Sequence, residues 1–157
     1  MKKLIILFIT AVSLTLNVYG KTAKNENFPL IVEARQLTYD KNKQIATYIG
    51  NVIVEKGDLT IKGDKLYLYF DKTGKVVEKA VMVGNVTFRW KQGSGKCDEL
   101  EYFPGQEKVI LKGNAQLKQG KNVIIGDRIV AFRNGNVTVE GIKQKVKTII
   151  YPEETEK

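Results

Sequence analysis

The chain has no histidine, one cysteine, one tryptophan and three prolines in its 157 residues. Without histidine there is no imidazole base, no Ser/His or Cys/His nucleophilic pair and no imidazole metal ligand. A single cysteine rules out an internal disulfide and a cysteine-based zinc site. Cys97 stands in a slot that glycine holds elsewhere (Gly63, Gly126), so it reads as a small buried residue rather than a reactive thiol. Acidic residues are also short, 17 against 26 basic ones, for a net charge of +9. The excess favours anionic partners such as nucleic acid, a membrane surface or a phosphorylated lipid. The lysines are scattered rather than clustered, which fits equally a solvated face that discourages edge pairing.

Long apolar runs are absent with one exception at the start. Lys2-Lys3, the apolar stretch Leu4 to Leu16 and the compact Val18-Tyr19-Gly20 read as a secretory signal peptide over residues 1–20. The rival reading is an uncleaved anchor, for which the run is short of the roughly 20 residues that a spanning helix needs. Without residues 1–20 the chain keeps 24 basic and 17 acidic residues, a net +7, and export argues against nucleic acid as the anionic partner. Residues 21–28 are polar and read as a flexible segment, and residues 153–157 as a charged tail.

What is present between residues 29 and 152 is strand text, rich in Val, Ile, Thr, Tyr and Phe and punctuated by Gly, Asn and Asp every eight to twelve residues. No sustained apolar period of 3.6 interrupts it, so the domain is expected to be all-β. It also repeats. Gly-Asn before an apolar residue begins at Gly50, Gly84 and Gly113, and thirteen positions later come Gly63-Asp64, Cys97-Asp98 and Gly126-Asp127. Leu66, Leu100 and Ile129 follow two residues after each Asp, and a worn first copy lies at Ala34 to Tyr39. Self-similarity at about thirty residues marks an architecture in which each unit buries its face on the next.

Alternation assigns the faces. Tyr48, Val52 and Val54 share one parity, as do Met82, Val86 and Phe88, and Leu111, Ala115 and Leu117. The parity flips after Gly63, Cys97 and Gly126, which predicts a bulge or corner there and strands contributing to two walls. Lys41 to Lys43, Asp71 to Gly74, Pro104 to Gln106 and Arg133 to Asn136 read as turns at one end, and Gln92 to Gly95 and Lys118 to Lys121 at the other.

Aligned, these copies predict a continuous apolar wall built from the columns Tyr48/Met82/Leu111/Val139, Val52/Val86/Ala115 and Val54/Phe88/Leu117, with Leu66/Leu100/Ile129 on an opposing wall. Gly50, Gly84, Gly113 and Gly141 would leave room between the walls. Two readings of the columns stay open: a groove for acyl chains, or an ordinary sandwich core. Catalysis is disfavoured, since Asp64, Asp98 and Asp127 recur in register with the turns and neighbouring carboxylates such as Asp98 and Glu99 point to opposite faces. No metal or cofactor is expected. A structural or saccharide-binding β-solenoid is a third class, to which Tyr67, Tyr69, Tyr102 and Phe103 would contribute an aromatic ladder.

The order of apolar strand, Gly-Asn-Val, basic turn, Gly-Asp-x-Leu/Ile, aromatic, and a closing Val-Thr-Val-Glu-Gly over residues 137–141 resembles the OstA-like family across residues 29–152. The signal peptide and single domain are most similar to its small periplasmic lipopolysaccharide-transport members. That resemblance implies a V-shaped, taco-like antiparallel β-jellyroll open at both ends, with acyl chains inside. It also implies head-to-tail strand addition into a bridge between an LptC-like inner-membrane protein and an LptD-like outer-membrane translocon, through the edges Leu30, Ile31, Val32 and Val146, Thr148, Ile149, Ile150. An LptC-like anchored component is the alternative within the same pathway.

Overall fold

Long antiparallel strands, each broken near its middle, build the protein. The computed structural model describes residues 28–153, and the expected signal peptide and most of the flexible segment and tail lie outside them. Six strands, β3 (Ile45–Lys56), β4 (Leu59–Phe70), β5 (Val77–Trp90), β6 (Gly93–Phe103), β7 (Lys108–Gln119) and β8 (Asn122–Phe132), pair each with the next. Two short strands, β1 (Ile31–Glu33) and β2 (Gln36–Asp40), share the free side of β3. Likewise β9 (Val137–Glu140) and β10 (Lys147–Ile149) share the free side of β8. All pairings are antiparallel in a single ten-stranded sheet. The fold is all-β, as expected.

The breaks are β-bulges that lie in line across the sheet. Register shifts fall at Ile49/Val52, Val83/Val86 and Lys112/Ala115, where Gly50-Asn51, Gly84-Asn85 and Gly113-Asn114 oppose the single residues Asp64, Asp98 and Asp127. Both residues of each Gly-Asn pair have positive φ (90° and 46° at Gly50-Asn51), a conformation that only Gly and, less readily, Asn adopt cheaply. A Cβ on Gly84 or Gly113 would stand 2.3 Å from the carboxylate of Asp64 or Asp98. The next residue then bonds that carboxylate: Asn85 Nδ2 donates to Asp64 Oδ2 at 3.2 Å and Asn114 Nδ2 to Asp98 Oδ2 at 3.0 Å. The repeat Gly-Asn and the repeat Asp are therefore two halves of one corner device. These glycines serve the corner and do not make room between the walls, which corrects that expectation. Gly141 is likewise blocked by backbone, its Cβ site lying 2.1 Å from the Gln144 carbonyl oxygen.

The last corner works differently. Asp127 Oδ2 accepts the backbone N–H groups of Ile142, Lys143 (2.7 Å) and Gln144 (3.1 Å), which ties down the segment between β9 and β10. These bonds hold the Asp127 carboxyl below its ordinary range.

On either side of the bulge line lie two walls. Wall one contains β1, β10 and the halves of β3 to β8 around Val54, Ile61, Phe88, Leu117 and Ile124. Wall two contains β2, β9 and the halves around Tyr48, Leu66, Met82, Leu100, Leu111 and Ile129. Their inward faces meet in one apolar cluster. The tips of wall two turn where expected; Asp71 Oδ1 accepts the Thr73 amide at 3.1 Å and its hydroxyl at 2.6 Å. At the tips of wall one, Gly93 to Gly95 belong to β6 instead of a turn, which occupies only Lys91-Gln92.

Candidate functional site

The interior between the walls is the candidate site, and side chains from every long strand build it. In wall two one row runs straight across the sheet, Tyr48, Leu66, Met82, Leu100, Leu111, Ile129 and Val139, each the cross-strand partner of the next. Leu66, Leu100 and Ile129 thus alternate with the first column on the same wall. The expectation that they face it from the opposing wall is corrected: alternate strands of an antiparallel sheet carry the Gly-Asn and Gly-Asp halves of the repeat, so both halves contribute to one row. The opposing wall is the row Val54, Ile61, Phe88, Gly95, Leu117 and Ile124, with Val52, Val86, Cys97 and Ala115 next to the corner.

All thirteen interior residues expected from the sequence join this cluster, eleven as buried residues and Tyr48 and Val139 as half-buried ones packed on it. Val52, Val86, Ala115, Leu117 and Ile129 are at most 1% exposed. Ile61, Trp90, Cys97, Val109 and Ile124 belong to it as well, beyond those thirteen. Ile61 and Ile124 were findable, since each stands two residues before the Gly-Asp step on the parity of the site.

Glycines in wall one shape the interior. A Cβ on Gly95 would lie 2.2 Å from Phe88 Cζ, and one on Gly93 2.8 Å from Trp90 Cζ2, so the two rings lie over side-chain-free backbone of the neighbouring strand. They stack on each other at 5.8 Å with 17° between their planes. Gly63 admits Met82 from wall two in the same way, its Cβ site being 2.5 Å from Met82 Cγ. Burial pushes the Cys97 thiol up to about 12, in accord with its reading as a small buried residue. The interior therefore offers apolar contact and almost no ionisable chemistry; it can hold a ligand by burial. Among the described residues no group of His, Cys, Asp and Glu is placed to hold a metal ion, and no helix is long and apolar enough to cross a membrane.

The expected edge residues lie on wall one. Among the described residues, Ile31 and Val32 are in β1, which pairs only with β3, and Thr148 and Ile149 in β10, which pairs only with β8. Val32 faces the interior, whereas Leu30, Ile31, Val146 and Ile150 are 57%, 44%, 43% and 47% exposed. Wall two has edges of its own, β2 and β9, which the sequence reading did not single out.

The outer face of wall two holds a feature the sequence did not announce. Glu101 is 7% exposed, between Val81 and Ile110 in the row, and its carboxylate bonds Lys112 Nζ at 2.9 Å and lies 3.4 Å from Lys79 Nζ. Burial pushes its acidity down, but the Lys112 hydrogen bond and the two ammonium charges win and hold the carboxyl below its ordinary range. Beside it Lys79 sits 5.8 Å from the Tyr69 ring and 5.2 Å from Phe103, and Lys108 4.7 Å from Phe103.

A sheet folded along a line of bulges, apolar within and, among the described residues, with a free strand edge at either end, is an antiparallel β-jellyroll. The family profile described as LptA/(LptD N-terminal domain) LPS transport protein matches residues 31–140, and the chain belongs to that family. It is 32% identical over 109 residues to the lipopolysaccharide export system protein LptA of Escherichia coli K12, spanning 64% of this chain and 58% of that protein. Against the protein of the same name from Haemophilus influenzae it is 27% identical over 161 residues, 94% of this chain and 91% of that one. Among solved structures, the crystal structure of LptH, the LptA-homologous periplasmic component of the lipopolysaccharide transport device of Pseudomonas aeruginosa, has the same fold. It superposes with a TM-score of 0.69 at 23% identity, covering 82% of this chain and 99% of that one.

Proposed function

We infer that this protein is a periplasmic lipopolysaccharide carrier of the LptA type. The observation that carries the reading is the interior: apolar rows cross from β3 to β8 on both walls, with Gly95 the one position without a side chain in the wall-one row, and extend to open strand edges at either end. Acyl chains entering there exchange wall-to-wall contacts for wall-to-chain contacts of the same apolar kind, so the driving force is burial of the acyl chains themselves, about 0.8 kcal/mol per methylene. The walls part at the strand tips to admit them, pivoting on the bulge line. Sugars and phosphates stay outside, within reach of outward Lys62 and Lys96, for which charge-assisted hydrogen bonds to phosphate are available.

In this reading residues 1–20 direct export and are removed. The exposed apolar edges β1 and β10 accept strands from further copies, a head-to-tail contact that does not close and so builds an open filament. Its ends meet an LptC-like inner-membrane protein and an LptD-like outer-membrane translocon. A photoreactive residue at Leu111 or Phe88 is expected to crosslink to lipopolysaccharide in cells, with Lys112, on the outer face of wall two, as the silent control. Absence of crosslinks from both inner positions in a folded, exported protein returns the interior to an ordinary core. Sedimentation of a strict monomer at high concentration removes the filament.

A second reading, saccharide binding outside the groove, has one observation in its favour. Tyr69, Lys79, Phe103, Lys108 and Phe132 follow one another in register on the outer lip of wall two, alternating rings and cations. Loss of glycan retention on a carbohydrate array in the variant Phe103→Ala with the inner crosslinks intact supports it; unchanged retention removes it.

A further inference from the structure

Two buried polar atoms of the described residues have no hydrogen-bond partner, the indole Nε1 of Trp90 and the side-chain oxygen Oε1 of Gln119. Both belong to the inner tip of wall one. Trp90 on β5 is the cross-strand partner of Gly93 on β6, and the next pair, Ser94 with Lys118, sets Gly93 beside Gln119 on β7. Facing residues of an antiparallel row share a face, and Trp90 is part of the interior cluster, so Gln119 points inward too. Only a glycine separates them in the row. The Trp90 ring lies over that glycine, whose Cβ site is 2.8 Å from Trp90 Cζ2, so the indole leans across β6 toward β7.

Trp90 is 9% exposed and stacked on Phe88, which holds the indole N–H in place. A buried donor or acceptor left unmade is destabilising, and native proteins leave few of them. Here one is a donor and the other an acceptor. A hydroxyl or a water answers both at once, its oxygen accepting from Trp90 N–H while its own O–H donates to Gln119, and of the two only the hydroxyl can carry a hydrocarbon chain. A carboxylate would repel the amide oxygen, an ammonium would repel the indole N–H, and a methylene would satisfy neither. The row beyond is apolar, with Phe88, Leu117 and Ile124 leading inward, so the hydroxyl belongs to an amphiphile with a hydrocarbon chain.

We propose that Trp90 Nε1 and Gln119 Oε1 form a hydroxyl-recognition subsite at the lip of the interior, which selects amphiphiles carrying a hydroxyl near the start of the acyl chain. The assignment rests on the lipid-carrier reading and deepens it. The hydroxyl comes from the chain itself or from the first sugar, and the two sources are separable.

The purified full chain is titrated with tetradecanoate, 3-hydroxytetradecanoate and decyl β-glucoside, by calorimetry and by the emission of its single tryptophan. The expected result is binding of 3-hydroxytetradecanoate about tenfold tighter than tetradecanoate, equivalent to about 1.4 kcal/mol, with a red shift of the indole emission that tetradecanoate does not produce. Trp90→Phe and Gln119→Leu each erase the preference, and Gln119→Leu does so while leaving tetradecanoate affinity within about twofold. Gln119→Leu also unfolds at the same or a higher temperature, since an unsatisfied buried group has been replaced by an apolar one of similar size. No acyl preference, with decyl glucoside weakened in both variants, assigns the hydroxyl to the sugar. Equal binding of every probe by all three proteins overturns the subsite and leaves the carrier reading standing. Reduced thermal stability of the variants without a change in preference marks a structural role and overturns it too. Failure of the wild-type chain to bind any amphiphile overturns the carrier reading and the subsite with it.

Discussion

Two glycines of the interior, Gly95 and Gly63, are expected to respond very differently to the addition of one methyl group. At Gly95 the new Cβ would lie 2.2 Å and 2.6 Å from Phe88 Cζ and Cε2 and 2.7 Å from the Gln116 carbonyl oxygen. Ordinary carbon contacts are about 3.5–4.0 Å, so something must move by more than about 1 Å. The ring is stacked on Trp90 and the carbonyl belongs to the β6–β7 ladder, so neither yields easily. At Gly63 the contacts are 2.5 Å and 2.6 Å to Met82 Cγ and Sδ, while the nearest backbone atom is 3.5 Å away. A thioether on a chain of rotatable bonds can step aside. Overpacking costs about 1–3 kcal/mol, and replacing Gly by Ala recovers about 0.4–1 kcal/mol through the unfolded state. Gly95→Ala should thus lose about 2 kcal/mol net and Gly63→Ala about 0.5 kcal/mol. With a urea m-value of about 1.5 kcal/mol/M, the midpoints fall by about 1.3 M and about 0.3 M. Adding Phe88→Leu to Gly95→Ala should cost less than the sum of the two single changes, because the leucine vacates the space that the methyl needs. Equal midpoints for the two single variants, or strict additivity of the pair, would refute the assignment of Gly95 as the seat of the Phe88 ring.

Three further outcomes follow from named contacts. Asp127 has a folded acidity lowered by the amides of Ile142, Lys143 and Gln144, so its contribution to stability is present above the unfolded value of about 3.9 and is lost as pH falls through the lower folded value. Asp127→Asn should flatten that acid limb and speed hydrogen exchange at those three amides ahead of the strands; unchanged exchange would show that the segment is held by something else. Cys97, pushed up to about 12 from 9.0 by burial, carries about a thousandfold less thiolate at a given pH than a free thiol. Disulfide reagents at pH 8 should therefore label it only as fast as the protein unfolds, and rapid labelling of the native state would place the thiol elsewhere. Gly113→Ala meets both a φ of 76° and a carboxylate oxygen at 2.3 Å, and should destabilise by about 2 kcal/mol or more, with Asp98→Ala in the same chain recovering part of it in urea titrations.

The strand class, the repeat and the corner were legible in the sequence because each rests on a local rule. Period-two alternation named the thirteen inward residues without knowledge of their partners, since a side chain's face depends only on its own strand. Gly-Asn and Gly-Asp at a constant offset marked the corner because positive φ restricts residue choice at the position itself. Pairing between strands is a different matter. Which columns share a wall depends on how alternate antiparallel strands interleave, and so Leu66, Leu100 and Ile129 were set on the wrong side. Gly93 and Gly95 read as turn residues because nothing local distinguishes a glycine that bends the chain from one that makes room for a ring on the next strand. The outer-face burial of Glu101 and the unmet pair Trp90 and Gln119 were equally silent, since burial and hydrogen-bond satisfaction are set by neighbours from other strands. The sequence by itself determined which residues face inward and where each strand breaks. The tertiary structure alone decided what those residues face, because register across the sheet is a property of pairs.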